Sequence, residues 1–421
     1  MGAGLAISGL TAYGFLAVAS RALGPQRYAP LSVLWALVYL AAPGLFLPIE
    51  QEVGRAISAR RVRGVGARPV VLRAGLVGAA LTAVVLAGTA AAAPELVGRI
   101  FDGDGGLLVG FVLAIVVYLG YFLGRGMLAG NGRFGAYAVL VGAEGSIRML
   151  LAVGLAVAGL RLAGVYGLTL FISSLLALGV AFRGQRRLAE PGPAAPWAEV
   201  TTSLGWLLVG SLLAQLLINV GPLAVKALAG PGEQAAAGTF LNGLVMARIP
   251  LFFFQAVQAS LLPELAARAA AGHFVEFRRR LARLMAVVAV VALLATGVSA
   301  AVGPWVVRHL FGSGFVLTTT DMALLAAASG VYMLALGLGQ GLVGLAGHHL
   351  NAVGWVAGAA AFGVAMGLLG GLGAMLRVEL ALLAASAVAT AAMAALLVRR
   401  LHQAAHGPLG PSIAAAGAVP R

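Results

Sequence analysis

The sequence predicts an all-α protein that crosses a membrane about twelve times, its helices grouped in two six-helix bundles. Three observations predict it. Of 421 residues, 61% are hydrophobic and only 10% are charged, with mean hydropathy +1.00; a soluble domain carries about 25% charged residues. The apolar runs are long, unbroken and rich in Ala, Leu and Gly, unlike the alternating ~10-residue stretches of a membrane β-barrel. Landmarks of the first half of the chain also return, in the same order, in the second.

The spans fall near 3–20, 31–53, 70–93, 107–128, 138–159, 162–182, 204–226, 237–259, 284–303, 321–346, 350–371 and 378–398. The first carries "AVA" before Ser20. It lacks a basic leading segment, so it reads as a span and not as a cleaved signal. Orientation follows from Lys and Arg. With the N-terminus inside, and with cations at span ends counted with the adjoining loop, nineteen of the 28 fall to cytoplasmic loops and the tail, against seven to outer loops, leaving Arg148 and Arg248 within spans. That asymmetry places both termini in the cytoplasm.

The stretch 183–205, "RGQRRLAEPGPAAPWAEVTTSLG", is rich in Pro and charge and reads as a cytoplasmic linker. It divides the chain into an N-terminal bundle at 1–182, a linker at 183–203, a C-terminal bundle at 204–400 and a tail at 401–421. The tail is rich in Gly, Pro and Ala, and its composition suggests disorder. Residues 263–284 hold a run of arginines that suits an amphipathic helix on the inner leaflet.

The internal echo connects the two halves. "VGRIFDGDG" at 97–105 is answered by "VRHLFGSG" at 307–314, which sets Phe101 against Phe311 and Pro94 against Pro304. "ALGP" at 22–25 returns as "LAGP" at 228–231, Pro43 as Pro250, Gln51 as Gln258, and "LGRG" at 123–126 as "LGQG" at 338–341. An even number of spans per half inserts both halves in the same orientation. The result is a parallel repeat about an axis along the membrane normal, with a cleft between the bundles that can open to alternate sides. Pro43, Pro48 and Pro250 lie in the second span of each half, where a bend would shape that cleft.

Composition also excludes. With no cysteine there is no disulfide and no thiolate metal site. The adjacent His348 and His349 point to different faces of a helix, so no metal is expected. The net charge of +15 is spread as punctuation between apolar runs, which is the pattern of topology and not of nucleic-acid binding. No phosphate-binding glycine loop with its Lys and no HExxH motif is present, so neither an enzyme nor a cofactor is expected.

"FLAVASRALGPQRYAPLSVLW", "LPIEQEVGRAISARR", "GSLLAQLLINVGPLAVKALAG" and "ARIPLFFFQAVQASLLPELA" resemble the multidrug/oligosaccharidyl-lipid/polysaccharide (MOP) exporter superfamily, and within it the actinobacterial polysaccharide-biosynthesis branch. The resemblance covers all the spans. It implies a V-shaped, MATE-like pair of bundles that flips lipid-linked saccharides from the inner to the outer leaflet. It also implies partnership with glycosyltransferases and a polymerase of the same pathway. A lipid II flippase of the superfamily often has two further helices, for which this chain ends too early. A cation-coupled multidrug exporter is the serious rival, and it would want carboxylates deep in the spans.

Charges within spans cost several kcal/mol unless paired or facing water, so each is a candidate for function. Glu144 and Arg148 are spaced i,i+4 and share a helix face. They read as an ion pair or as part of a substrate cavity. Arg248 lies midway along its span, just before Pro250, where a guanidinium could grip a lipid pyrophosphate. Gln215 and Asn219 share a face by the same spacing; hydrogen bonding between helices or sugar binding would occupy them. Gln255 joins them as a cavity candidate. Glu52 with Arg55 reads as an interfacial pair, and Glu50 as a candidate site for a coupling proton or sodium ion.

Overall fold

The computed structural model describes residues 2–197, 204–230, 232–254, 265, 267–269 and 271–406, with side chains to Ala404. The helices are α1 (Gly2–Val62), α2 (Arg68–Ala91), the short α3 (Ala93–Glu95), α4 (Gly105–Gly130), α5 (Phe134–Val157), α6 (Ala163–Phe182), α7 (Leu204–Leu228), α8 (Ala236–Ala247), α9 (Phe274–Phe311), α10 (Thr319–Gly344), α11 (His348–Leu368) and α12 (Ala374–His406). Ten of these are long and apolar enough to cross a membrane. The surfaces agree, since only 6% of the most apolar window of α9 is buried, and Val290, Leu293, Leu294 and Val298 lie exposed on it. An exposed helix of that composition needs hydrocarbon as its solvent. The chain is an all-α polytopic membrane fold.

The first two spans join more tightly than the sequence suggests. No loop separates them. α1 runs 61 residues with a single non-helical residue, Gly24, at φ 72° and ψ 167°. Glycine adopts that backbone without a Cβ penalty, and Pro25 then starts the second helix with its φ already set and no amide hydrogen to satisfy. The helix continues through Pro30, Pro43 and Pro48 with no other non-helical residue.

Two compact units emerge. The first comprises Met1–Gln215 with Pro222–Asn242 and Arg308–Phe315; the second comprises Leu216–Gly221, Gly243–Val307 and Val316–Arg421. In the first, α1 packs on α4 and α5, and α4 on α6. Small residues allow the close approach: a Cβ on Gly145 would stand 2.2 Å from Thr11 Oγ1 and 3.1 Å from Ser8 Cα. In the second, α12 packs on both α10 and α11.

The boundary between units does not fall at the linker. The described part of the linker, to Trp197, is docked on the first unit. Arg60, 3% exposed, donates to the carbonyls of Gly66 and Pro193 at 2.9 Å each. The Arg68 amide donates to Glu190 O at 3.0 Å, and the Arg73 guanidinium lies 4.9 Å from the Trp197 ring centre. The start of α7 belongs to the same unit, with Ser211 Oγ donating to Pro43 O at 3.2 Å.

The echo at 307–314 has a structural meaning. Phe101 and Phe311 are both fully buried in the first unit. Each ends a helical segment and is followed by a glycine in the left-handed half of φ space, Gly103 at 87° and Gly312 at 122°. Arg21 closes the end of α9 by donating to Leu310 O at 2.8 Å and to His309 O, and Ser20 Oγ donates to Phe311 O at 3.1 Å. Helix-terminal carbonyls that would otherwise lack partners are thereby satisfied.

Residues 274–284 are not a separate surface helix. They are the first turns of α9, which begins after a turn at Gly272 with φ 73°. The arginines Arg278, Arg279, Arg280 and Arg283 thus extend a spanning helix beyond its apolar section. At the other end of the chain α12 remains helical to His406, past the point where composition suggests disorder. Residues 407–421 lie outside the described residues.

Candidate substrate and coupling sites

α5 places Glu144 and Arg148 one turn apart against α1 and α4, and the two form a salt bridge. Arg148 is 0% exposed and Glu144 4%. The guanidinium carbon lies 5.1 Å from the Trp35 ring centre and 5.8 Å from that of Phe15. Those two rings stack at 5.4 Å, and Trp35 stacks on Tyr39 at 4.5 Å. Tyr118 donates to Glu144 Oε1 at 3.3 Å. The guanidinium is thus enclosed by ring faces, which attract a cation more strongly once water is gone. Its Nε and Nη2 make no hydrogen bond.

Glu50 has partners that its sequence neighbours do not reveal. Tyr137 donates to Glu50 Oε1 at 3.0 Å, and Arg125 Nε stands 3.1 Å from Glu50 Oε2. Arg125 also donates to the Tyr137 hydroxyl, 3.1 Å from Nε and 2.6 Å from Nη2. Its guanidinium carbon lies 5.0 Å from the Phe122 ring centre. Three helices, α1, α4 and α5, therefore converge on one carboxylate. Arg125 is no loop cation, as the topological count takes it; it is embedded near the end of α4 with its side chain 16% exposed. Glu52 pairs with Arg55 at 2.8 Å, as its spacing suggests.

In the second unit α8 ends at Ala247, Arg248 forms a turn, and residues 249–254 are helical again. Pro250 explains the break. It has no amide hydrogen for the carbonyl of Met246, and its ring crowds that oxygen. The Arg248 amide accordingly takes a shorter-range bond to Val245 O at 3.2 Å. Arg248 is half-buried, and its Nη1 lies 3.5 Å from Asn219 Oδ1. It also acts electrostatically on the Tyr332 hydroxyl. Tyr332 packs on Trp355 with ring centres 5.2 Å apart. Gln215 sits one turn before Asn219 on α7, half-buried. Gln255 lies outside the described residues.

Glu379 is a group that reading the sequence misses. It is 0% exposed near the start of α12, and neither carboxylate oxygen has a hydrogen-bond partner. Asp321 is close enough to act on it electrostatically. The one signal in the sequence is an acidic residue inside the apolar run "LRVELALL". Arg125 and Tyr137 have a weaker signal, because only the fold brings them to Glu50. Among the described residues, no group of three or more His, Cys, Asp or Glu could hold a metal ion.

No protein-family model matches the chain. It is 30% identical over 381 residues to the uncharacterized protein Rv3630 of Mycobacterium tuberculosis, across 85% of this chain and 82% of that protein. The uncharacterized protein Mb3654 of Mycobacterium bovis matches at the same identity and coverage. The uncharacterized protein Rv1510 of M. tuberculosis is 27% identical over 380 residues, across 85% of this chain and 81% of its own. Among solved structures, the inward-facing conformation of a multidrug resistance MATE family transporter of the MOP superfamily superposes with TM-score 0.72. It is 14% identical and covers 94% of this chain and 95% of that one. The bent form of the Vibrio cholerae MATE transporter VcmN gives TM-score 0.63 at 15% identity, covering 95% of each chain. The chain therefore belongs to the family of these mycobacterial proteins, and its fold is that of the MATE transporters of the MOP superfamily.

Proposed function

We propose that the protein is a membrane transporter that flips lipid-linked saccharides, carried on a polyprenyl pyrophosphate, from the inner to the outer leaflet by alternating access. The transporter fold supports the general reading. The observation that carries the cargo is Arg248, a guanidinium held at a helix break within an apolar section, beside the Asn219 amide. A pyrophosphate offers the paired oxygens that a guanidinium grips with two parallel hydrogen bonds. Asn219 and Gln215, on one face of α7, offer amides that match sugar hydroxyls as donor and acceptor.

Flipping of a fluorescent polyprenyl-pyrophosphate saccharide in reconstituted vesicles tests this. Arg248→Ala should insert normally, since it removes a costly charge from the span, yet lose flipping. Arg248→Lys should keep part of it, because the charge survives while the fork is lost. Full flipping by Arg248→Ala would remove Arg248 from the site.

One observation favours a second reading, a cation-coupled exporter. Glu379 is a buried carboxylate near one end of a span, and its oxygens are free of hydrogen bonds. Glu379→Gln should abolish proton- or sodium-driven efflux of a cationic dye if this reading holds, and leave saccharide flipping dependent on Arg248 if it does not.

A further inference from the structure

The first unit contains a cavity of about 420 Å³ and another of about 710 Å³. The smaller is apolar, walled by Ile147, Leu150 and Ile172 among others, and suits lipid tails. The larger is of another kind. Gln26, Arg27, Asp102, Asp104, Arg161 and Gln234 line it, over Phe101 and Pro30. Its carboxylates are already committed. Asp104 accepts from the Gly106 amide at 2.9 Å with one oxygen and from the Gly164 amide at 2.8 Å with the other. Both oxygens of Asp102 take the Lys226 ammonium at 2.7 Å, and the Lys226 side chain is only 6% exposed. Lys226 cancels the charge of Asp102, and Asp104 is held by neutral amides and keeps its own, so the two arginines leave the pocket with a net positive charge. Arg27 and Arg161, both exposed, make no ion pair and no hydrogen bond among the described residues.

The wall that carries the acids is built to close tolerance. A Cβ on Gly164 would stand 2.7 Å from Asp104 Oδ1 and 2.9 Å from Gly106 Cα. The starts of α4 and α6 therefore touch backbone to backbone, with Asp104 bridging them. The pocket is preformed, and its volume lies within the ~300–1,000 Å³ of ordinary ligand sites.

We infer that this pocket is a second binding site, for an anionic sugar residue carrying a carboxylate or a phosphate. Arg27 and Arg161 supply charge and forked donors for the anion. Gln26 and Gln234 supply amides that both donate to and accept from ring hydroxyls. Leu162, exposed at the pocket, offers an apolar face to the sugar ring. None of these residues is part of the Arg248 cluster, so the site stands or falls separately from the flipping reaction.

The test is equilibrium binding of a hexameric oligogalacturonate to the purified full chain in uncharged detergent, with neutral maltohexaose as the control. Wild type should bind the oligogalacturonate saturably and maltohexaose at least about tenfold more weakly, since charge-assisted hydrogen bonds are lost. Arg27→Gln with Arg161→Gln should weaken oligogalacturonate binding by about tenfold or more at an unchanged melting temperature. Arg161→Glu, a change at an exposed position, should remove it. Absence of binding to wild type, equal binding of maltohexaose, or full binding by either variant would overturn the site. Loss of binding on adding micellar phosphatidylglycerol, with no effect of phosphatidylcholine, would assign the pocket to a lipid head group and overturn it as well.

Discussion

Replacing Glu144 by glutamine would leave the Arg148 guanidinium with no counter-charge at a position that is 0% exposed. The structure sets the size of the effect. Glu144 is the carboxylate paired with Arg148, Nε and Nη2 make no hydrogen bond, and the Phe15 and Trp35 rings lie against the guanidinium. Removing one partner of a buried pair costs about 3–5 kcal/mol, a large share of a typical stability of ~5–15 kcal/mol. At ~2–4 °C per kcal/mol that lowers the melting temperature by about 6–20 °C. Arg148→Met alone should cost a similar amount, because Glu144 is then stranded with only the Tyr118 hydroxyl, at 3.3 Å. The double variant should recover most of the loss, since no charge remains to be desolvated. Thermal melting of detergent-purified protein, followed by size-exclusion of a fluorescent fusion, reads all four members of the cycle. If both single variants melt within ~2 °C of wild type, or if the double variant falls by the sum of the two, the pair does not act as a coupled buried unit.

Further outcomes follow from single positions. Gly145→Leu should sharply lower folded yield because its Cβ meets Thr11 at 2.2 Å, whereas Gly154→Leu on the same helix meets nothing within 4 Å and should be neutral by the same chromatographic assay. Arg125→Gln should destabilise the fold by about 3 kcal/mol by stranding Glu50; Tyr137→Phe should cost ~1.5–3 kcal/mol, the value of one hydrogen bond to a charged group. A melt in which Tyr137→Phe is the more damaging would contradict the ion pair. In the cysteine-free background, Gly105→Cys and Gly371→Cys, both with open space around the Cβ, should be labelled by an impermeant maleimide in intact cells. Arg186→Cys should be labelled only after permeabilisation. Labelling of 105 and 371 from opposite sides would refute the span count.

The sequence by itself determined the helical membrane architecture. Hydrocarbon offers no hydrogen bonds, so each spanning segment must satisfy its own backbone and be apolar along its length. That requirement is local, and it is visible in runs such as 107–124 or 284–303. The Glu144–Arg148 pair was legible for the same reason, because i,i+4 on one helix is a contact whatever the fold. What surrounds the pair was not legible. Phe15 and Trp35 come from α1, more than a hundred residues away. Glu50 read as a candidate coupling-ion site, and its partners Arg125 and Tyr137 were not legible because they arrive on two other helices. Gly24 lies in the repeated "ALGP" at 22–25, but only the backbone shows it as the single non-helical residue between two spans. The linker looked free by composition, yet carbonyls at 190 and 193 meet donors at 60 and 68. Pairings between distant segments are set by how helices pack, and packing among Ala, Gly and Leu depends on shape at each contact, which hydropathy does not encode.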